Sequence, residues 1–172
     1  ALRSFVLSTS QSTRTLAAVN VNLVDYNRRA WQNEGMTDEV SGAEIVGGLK
    51  GALRSLVRPV AVVTAEHEGV CYAMAATAFC EVCVEPPSML VCINRNNATF
   101  AAVREGADIG LNLLADNQEE VSRRCGGGAA QDAKFEVGDW LIEKGKPPRL
   151  TDGCAAMVLR PVQIIEQGTH AV

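Results

Sequence analysis

The spacing of apolar residues changes along this chain, and each change predicts an element. Ile45, Leu49, Leu53 and Leu56 recur every three or four residues, the period of a helix with one apolar face. Ser41 and Glu44 form a capping-box pattern at its start, and Pro59 closes it. Residues 60–64 (VAVVT) are β-branched and almost wholly apolar, as in a strand covered on both faces. Glu66, His67, Glu68 and Gly69 then read as a hairpin turn, returning through residues 70–73. Residues 75–84 continue as a strand, with Phe79 large among small neighbours, until Pro86 and Pro87 break the ladder. Residues 89–93 (MLVCI) predict a buried strand, and Thr99 caps a short helix through Val103. Residues 109–114 are another strand. Asp116 and Glu119 open a helix that ends near Cys125 and the glycines 126–128. After a polar loop with Trp140, Pro147 and Pro148, residues 155–159 and 162–165 predict the last strands.

This order gives about seven closely spaced strands, three short helices and no long helical crossover. The expected fold is mainly β, an antiparallel sheet closed into a barrel, within a single domain over residues 41–172. Residues 1–40 read as an N-terminal arm or extension. They hold Ser, Thr and Arg but no acid before Asp25, a composition seen in organelle transit peptides. The strand-like alternation of residues 19–24 favours instead a flexible N-terminal arm, of a kind that can pack on a second subunit. A start at Ala1 suggests processing or trimming.

Composition narrows the function classes. Of 172 residues, 47% are hydrophobic and 21% charged, with a net charge of −4 and no basic run. There is no electrostatic footprint for nucleic acid or an anionic membrane. No apolar stretch approaches the roughly 20 residues that span a bilayer. A soluble, cytoplasmic protein is expected. The six cysteines (71, 80, 83, 92, 125, 154) sit mostly in apolar, strand-like runs, and are expected to be reduced core thiols. Cys80 and Cys83 lack a second ligand pair, so no metal site is expected.

Two stretches carry candidate chemistry. In residues 94–99 (NRNNAT), Arg95 offers a planar fork and Asn94 a donor to a phosphate. Thr99 adds a hydroxyl and the free N–H groups of the helix it begins. A solvated turn with a helix cap explains the same residues. In residues 74–79 (MAATAF), three alanines allow a planar ring to lie against backbone, with Thr77 as a further donor; a strand beneath a helix would also use small residues. Arg123 and Arg124 suit the C-terminal dipole of a helix, or face a second phosphate or a pyridine nucleotide. His170 lies two residues after Gly168, where it either touches a cofactor or is solvated. His67 is taken as solvated. No G-x-S-x-G, no acid-paired histidine and no G-x-G-x-x-G after a strand occur. Any catalysis would be a cofactor's, with no catalytic side chain.

In combination these residues resemble the short-chain flavin reductases that serve two-component monooxygenases. The matching pieces are Ala61, Val62, Val63 and Thr64; residues 74–87 (MAATAFCEVCVEPP); Cys92, Ile93, Asn94 and Arg95 with Thr99; residues 112–125; and Gly168, Thr169 and His170. The resemblance implies an antiparallel FMN-binding split barrel and a homodimer with flavin near the subunit interface. It implies FMN or FAD lying over Tyr72, Ala73, Met74, Ala75, Ala76, Thr77, Ala78 and Phe79. The flavin phosphate would lie near Asn94, Arg95, Thr99 and Phe100, with Cys125 and Gly126 closing the site. His170 would stand near the nicotinamide of NADH or NADPH. Hydride would pass to flavin, and reduced flavin to a partner flavin-dependent monooxygenase. A tightly held flavin reducing another acceptor, such as a corrin cobalt, and a non-catalytic flavin-binding protein are the alternatives. The chain departs from the family where its usual serines are Ala75, Ala76, Ala78, Glu81 and Cys83, which leaves FMN against FAD open. The family also continues into another strand after the histidine, whereas this chain stops at Val172, so either a segment follows or the barrel closes differently.

Overall fold

The computed structural model of the chain describes residues 42–172. The expected arm, its strand at residues 19–24 and the Ser41 cap lie outside the described residues. The described residues divide at Arg58 and Pro59 into two compact units. Helix α1 (Gly42–Arg54) belongs to the first and presents Ile45, Leu49 and Leu53 to solvent along one face.

In the second unit, β1 (Ala61–His67) and β2 (Val70–Ala76) form a hairpin pairing His67 with Val70. Its turn residues Glu68 and Gly69 have φ of 50° and 82°, the left-handed pair of a two-residue hairpin turn. β1 also pairs antiparallel with β6 (Ile109–Leu113), and β6 with β9 (Ala155–Leu159), giving a sheet ordered β2-β1-β6-β9. β1 is buried on both faces, as its continuous apolar run predicts. Ala61, Val63 and Ala65 face a core with Phe100, Val103 and Leu111. Val62 faces a second core with Ala73, Val121, Cys125 and Leu150. Helix α2 (Ala98–Arg104) packs on β1 and β2 from the first side and α3 (Glu119–Gly126) from the second.

The strand expected over residues 75–84 is split. β2 ends at Ala76, and β3 (Phe79–Val84) leaves to pair with β4 (Pro87–Val91) as a separate two-stranded ribbon. Pro87 opens β4 rather than breaking the ladder, because the first residue of an edge strand needs no inward N–H. The turn runs through a cis Glu85–Pro86 bond. β4 is only half-buried. Residues 162–165 form no strand; β10 (Glu166–Gln167) and β11 (His170–Ala171) lie just beyond and pair with β5 (Ile93–Asn94). A last ribbon joins β7 (Trp140–Leu141) to β8 (Arg149–Leu150).

The caps also differ from expectation. Asn97, not Thr99, caps α2, its side chain accepting from the Thr99 N–H. α3 starts after Gln118, whose Oε1 instead accepts from the Ala115 N–H. The cysteines are free, but Cys80, Cys83 and Cys154 are exposed and only Cys125 is buried. Period-2 apolarity alone does not reveal that β3 sits in an outlying ribbon. No described helix is long and apolar enough to cross a membrane.

Candidate functional site

The sheet edge at β2 builds one wall of a cleft. Ala73 directs its backbone away from β1: its N–H donates to Gln131 Oε1 at 3.0 Å and its carbonyl accepts from Lys134 Nζ at 2.8 Å. Strand groups alternate in direction, so the N–H and carbonyl of Ala75 point out along the same edge. There a cleft of about 360 Å³ opens, lined on this side by Met74 and Ala75, within the size range of small-molecule sites. Asn94 lines it from β5, Asn96 and Asn97 from the turn that follows, and Cys125, Gly126 and Gly127 from the end of α3. The alanine and glycines in this lining leave backbone accessible to a flat ligand.

Lys134 completes this wall. It sits in a short 3-10 helix (Asp132–Phe135), is 5% exposed and lines the cleft. No carboxylate lies within ion-pairing distance of it among the described residues. The sequence reading missed Lys134, since it occurs in a polar loop without periodicity. Cys125 packs beside it, with Sγ 4.0 Å from the Lys134 carbonyl. Burial pushes the Cys125 thiol up to about 11, against a smaller lowering by the Lys134 charge.

A second cleft of about 310 Å³ shares Asn96 with the first and is lined by Arg95, Phe100, Arg104, Gly168 and Thr169. Arg95 is engaged here: Nη1 donates to the Gly168 carbonyl at 3.1 Å and Nη2 pairs with Glu166 at 2.5 Å. Its backbone N–H donates to the Thr169 carbonyl at 3.0 Å. The β10–β11 hairpin thus holds the guanidinium at the cleft wall. Arg104, the second cation of this cleft, was not singled out from the sequence.

The expected site residues do not all come together. Met74, Ala75, Asn94, Cys125 and Gly126 line the first cleft, and Arg95 and Phe100 the second. Tyr72, Ala76 and Phe79 pack in or against the first core and Ala73 in the second. Thr77 and Ala78 lie in the link between β2 and β3, Thr77 exposed and Ala78 half-buried. Thr99 is fully buried, and its hydroxyl has no hydrogen-bond partner. His170 is exposed on β11 opposite Asn94, with Nδ1 2.9 Å from Thr169 Oγ1. Arg123 pairs with Glu119 and Glu120, and Arg124 with Glu120 and Glu136; neither lines the two clefts. No three His, Cys, Asp or Glu side chains group as metal ligands among the described residues.

Known proteins share this arrangement of elements. Residues 53–172 match the family model described as the flavin reductase like domain. The chain is 30% identical over 140 residues to a protein of Methylorubrum extorquens (strain PA1) named FMN reductase (NADH) RutF 1, spanning 80% of this chain and 69% of that protein. It is 32% identical over 123 residues to FMN reductase (NADH) RutF 2 of Rhizobium rhizogenes, spanning 72% and 71%. Among solved structures, the NADH:FAD oxidoreductase SgcE6 of Streptomyces globisporus C-1027 superposes with a TM-score of 0.66 at 20% identity, covering 78% of this chain and 80% of that one. The fold is of the mainly β, antiparallel split-barrel type with three short α-helices that the sequence led us to expect; the expected closure is not seen, since the strands of the described residues form four separate sheets. By the extent of the family match and the identity to these relatives, the chain belongs to the flavin reductase like domain family.

Proposed function

We propose that this chain is an NAD(P)H-dependent flavin reductase that passes hydride from a nicotinamide to FMN or FAD. The observation that carries the reading is the first cleft, which brings together the outward-facing edge of Ala75, a buried lysine and the small residues Gly126 and Gly127 beside Cys125. This donor set fits a flavin: small walls for the ring faces, a strand edge for hydrogen bonds to the heterocycle, and arginines in the adjoining cleft for a phosphate. The relatives named FMN reductase (NADH) support FMN and NADH as the first pair to assay.

When bound, the flavin supplies the hydride-accepting chemistry. The residues of the chain bind and orient. Met74, Ala75 and the Cys125 end of α3 would hold the ring and leave one face open for a nicotinamide. The Ala75 N–H would be the donor available to the heterocycle edge, and Asn94, with Arg95 and Arg104, would hold the phosphate end. Tyr72, Ala73, Ala76, Thr77, Ala78, Phe79, Thr99 and Phe100 shape the strand, its exit and the core beneath. His170, on the rim beside Asn94, stands on the nicotinamide side. No side chain is required to move a proton.

Residues 41–172 act as the reductase domain and 1–40 as an extension. The protein works in the cytoplasm as a homodimer and delivers reduced flavin to a flavin-dependent monooxygenase. The test is steady-state oxidation of NADH and NADPH by purified protein with added FMN or FAD. We expect flavin-dependent turnover, with the flavin lost on gel filtration. The absence of a flavin-dependent rate with either nucleotide overturns the reading.

A further inference from the structure

Lys134 is a buried lysine at the wall of the first cleft. It is 5% exposed, unpaired with any carboxylate among the described residues, and anchored by one hydrogen bond, to the Ala73 carbonyl at 2.8 Å. A buried charge with a single neutral acceptor is costly, and an ammonium carries three donors. The anchoring point decides where the remaining charge acts. Ala73 lies two residues from Ala75 on the same outward edge, and Lys134 lines the cleft there. The arginines line the adjoining cleft instead, beside Gly168 and Thr169. The two clefts, which share Asn96, therefore place different cations: Lys134 against the alanine strand, and in the other Arg95 and Arg104, paired with Glu166 and Glu105.

A ligand with a phosphate tail and an electron-rich ring edge matches these ends, and this further step rests on the flavin reading above. We infer that the Lys134 ammonium, held on the Ala73 carbonyl, donates to the pyrimidine edge of the isoalloxazine and binds the reduced ring more tightly than the oxidised ring. The physical reason is charge. Two-electron reduction places negative charge on that edge, and a cation in a water-poor cleft attracts it far more than it attracts a neutral carbonyl. Lys134 thereby sets how readily the flavin is reduced.

The experiment is equilibrium binding by the full chain of FMN and of riboflavin, each oxidised and each reduced under anaerobic conditions. The variants are Lys134→Met, Lys134→Gln and Lys134→Arg. We expect Lys134→Met to weaken reduced FMN about tenfold more than oxidised FMN, equivalent to a two-electron potential lower by about 30 mV. Riboflavin should show the same difference, because the contact is with the ring, and Lys134→Arg should restore most of it. If Lys134→Met fails to fold because the Ala73 carbonyl loses its partner, Lys134→Gln keeps a donor without the charge and should show the same preferential loss. Equal weakening of both oxidation states, a loss seen with FMN but not riboflavin, or wild-type behaviour of Lys134→Gln overturns the inference while leaving the flavin reading intact. A wild-type protein that binds neither FMN nor riboflavin overturns both.

Discussion

At Cys125, burial and a neighbouring cation act on the thiol in opposite directions. Burial wins: the group rises from 9.0 to about 11 despite the lowering by Lys134, because removing a thiolate from water outweighs one partly compensating charge. Cys125 is thus a neutral thiol at the cleft wall and not a nucleophile. Alkylation at pH 8 followed by mass spectrometry should label the exposed Cys80, Cys83 and Cys154 first and Cys125 only on unfolding; early labelling of Cys125 contradicts the assignment. The same shift has a consequence for stability. The unfolded chain releases this proton from pH 9.0 and the folded chain only near 11, so the contribution is complete below 9.0 and is lost as pH rises through about 11. Urea titrations should show stability falling over that window. Cys125→Ala should flatten only part of the fall, since burial also raises Cys71 and Cys92.

Among the elements, β6 depends on a buried polar junction that the hydrophobic pattern does not announce. Asn112 is fully buried; its Oδ1 accepts from the Leu150 N–H at 2.8 Å and its Nδ2 donates to the Val62 carbonyl at 3.1 Å. Thr64 Oγ1 donates to the Pro148 carbonyl at 2.6 Å. Together they tie the central strands β1 and β6 to the chain entering β8. Gly110 leaves room for this, since a Cβ there would lie 2.1 Å from Thr64 Oγ1 and 2.9 Å from the Pro148 carbonyl. Replacing Asn112 by leucine strands the Leu150 N–H without water. The expected loss is about 2–3 kcal/mol by chemical denaturation, with β8 and the adjacent loop losing hydrogen-exchange protection first. A change below about 0.5 kcal/mol would mean the junction is dispensable.

For the whole molecule, the relevant surfaces are those the described residues leave uncovered. α1 exposes Ile45, Leu49 and Leu53, and the β3–β4 ribbon exposes Val82 and Val84. Contiguous apolar faces of this kind favour association. Light scattering on the purified chain should give twice the 18.3 kDa chain mass, and the double variant Leu49→Glu/Leu53→Glu should shift it toward the monomer. A monomeric wild type across micromolar concentrations refutes the homodimer.

Much of this organisation is legible from local pattern. The two-faced apolarity of β1, the Glu68–Gly69 turn, the small residues of β2 and the helical spacing of α1 each follow from residues within a few positions of one another. So does the order of motifs that marks the family. The remainder depends on contacts between segments far apart in sequence. Arg95 reads as a free fork until β10–β11 brings Glu166 and Gly168 against it. Thr99 reads as a cap until Asn97 takes that role and the helix buries it. Lys134 reads as one charge in a polar loop until folding seats it on the Ala73 carbonyl. By itself, the sequence determined most of the elements, because periodicity and side-chain size are local properties, and the order of its motifs carried the resemblance that implies a flavin. Tertiary structure alone decided which cations face the cleft, because pairing, burial and the direction of a strand's free edge are set by neighbours that only folding supplies.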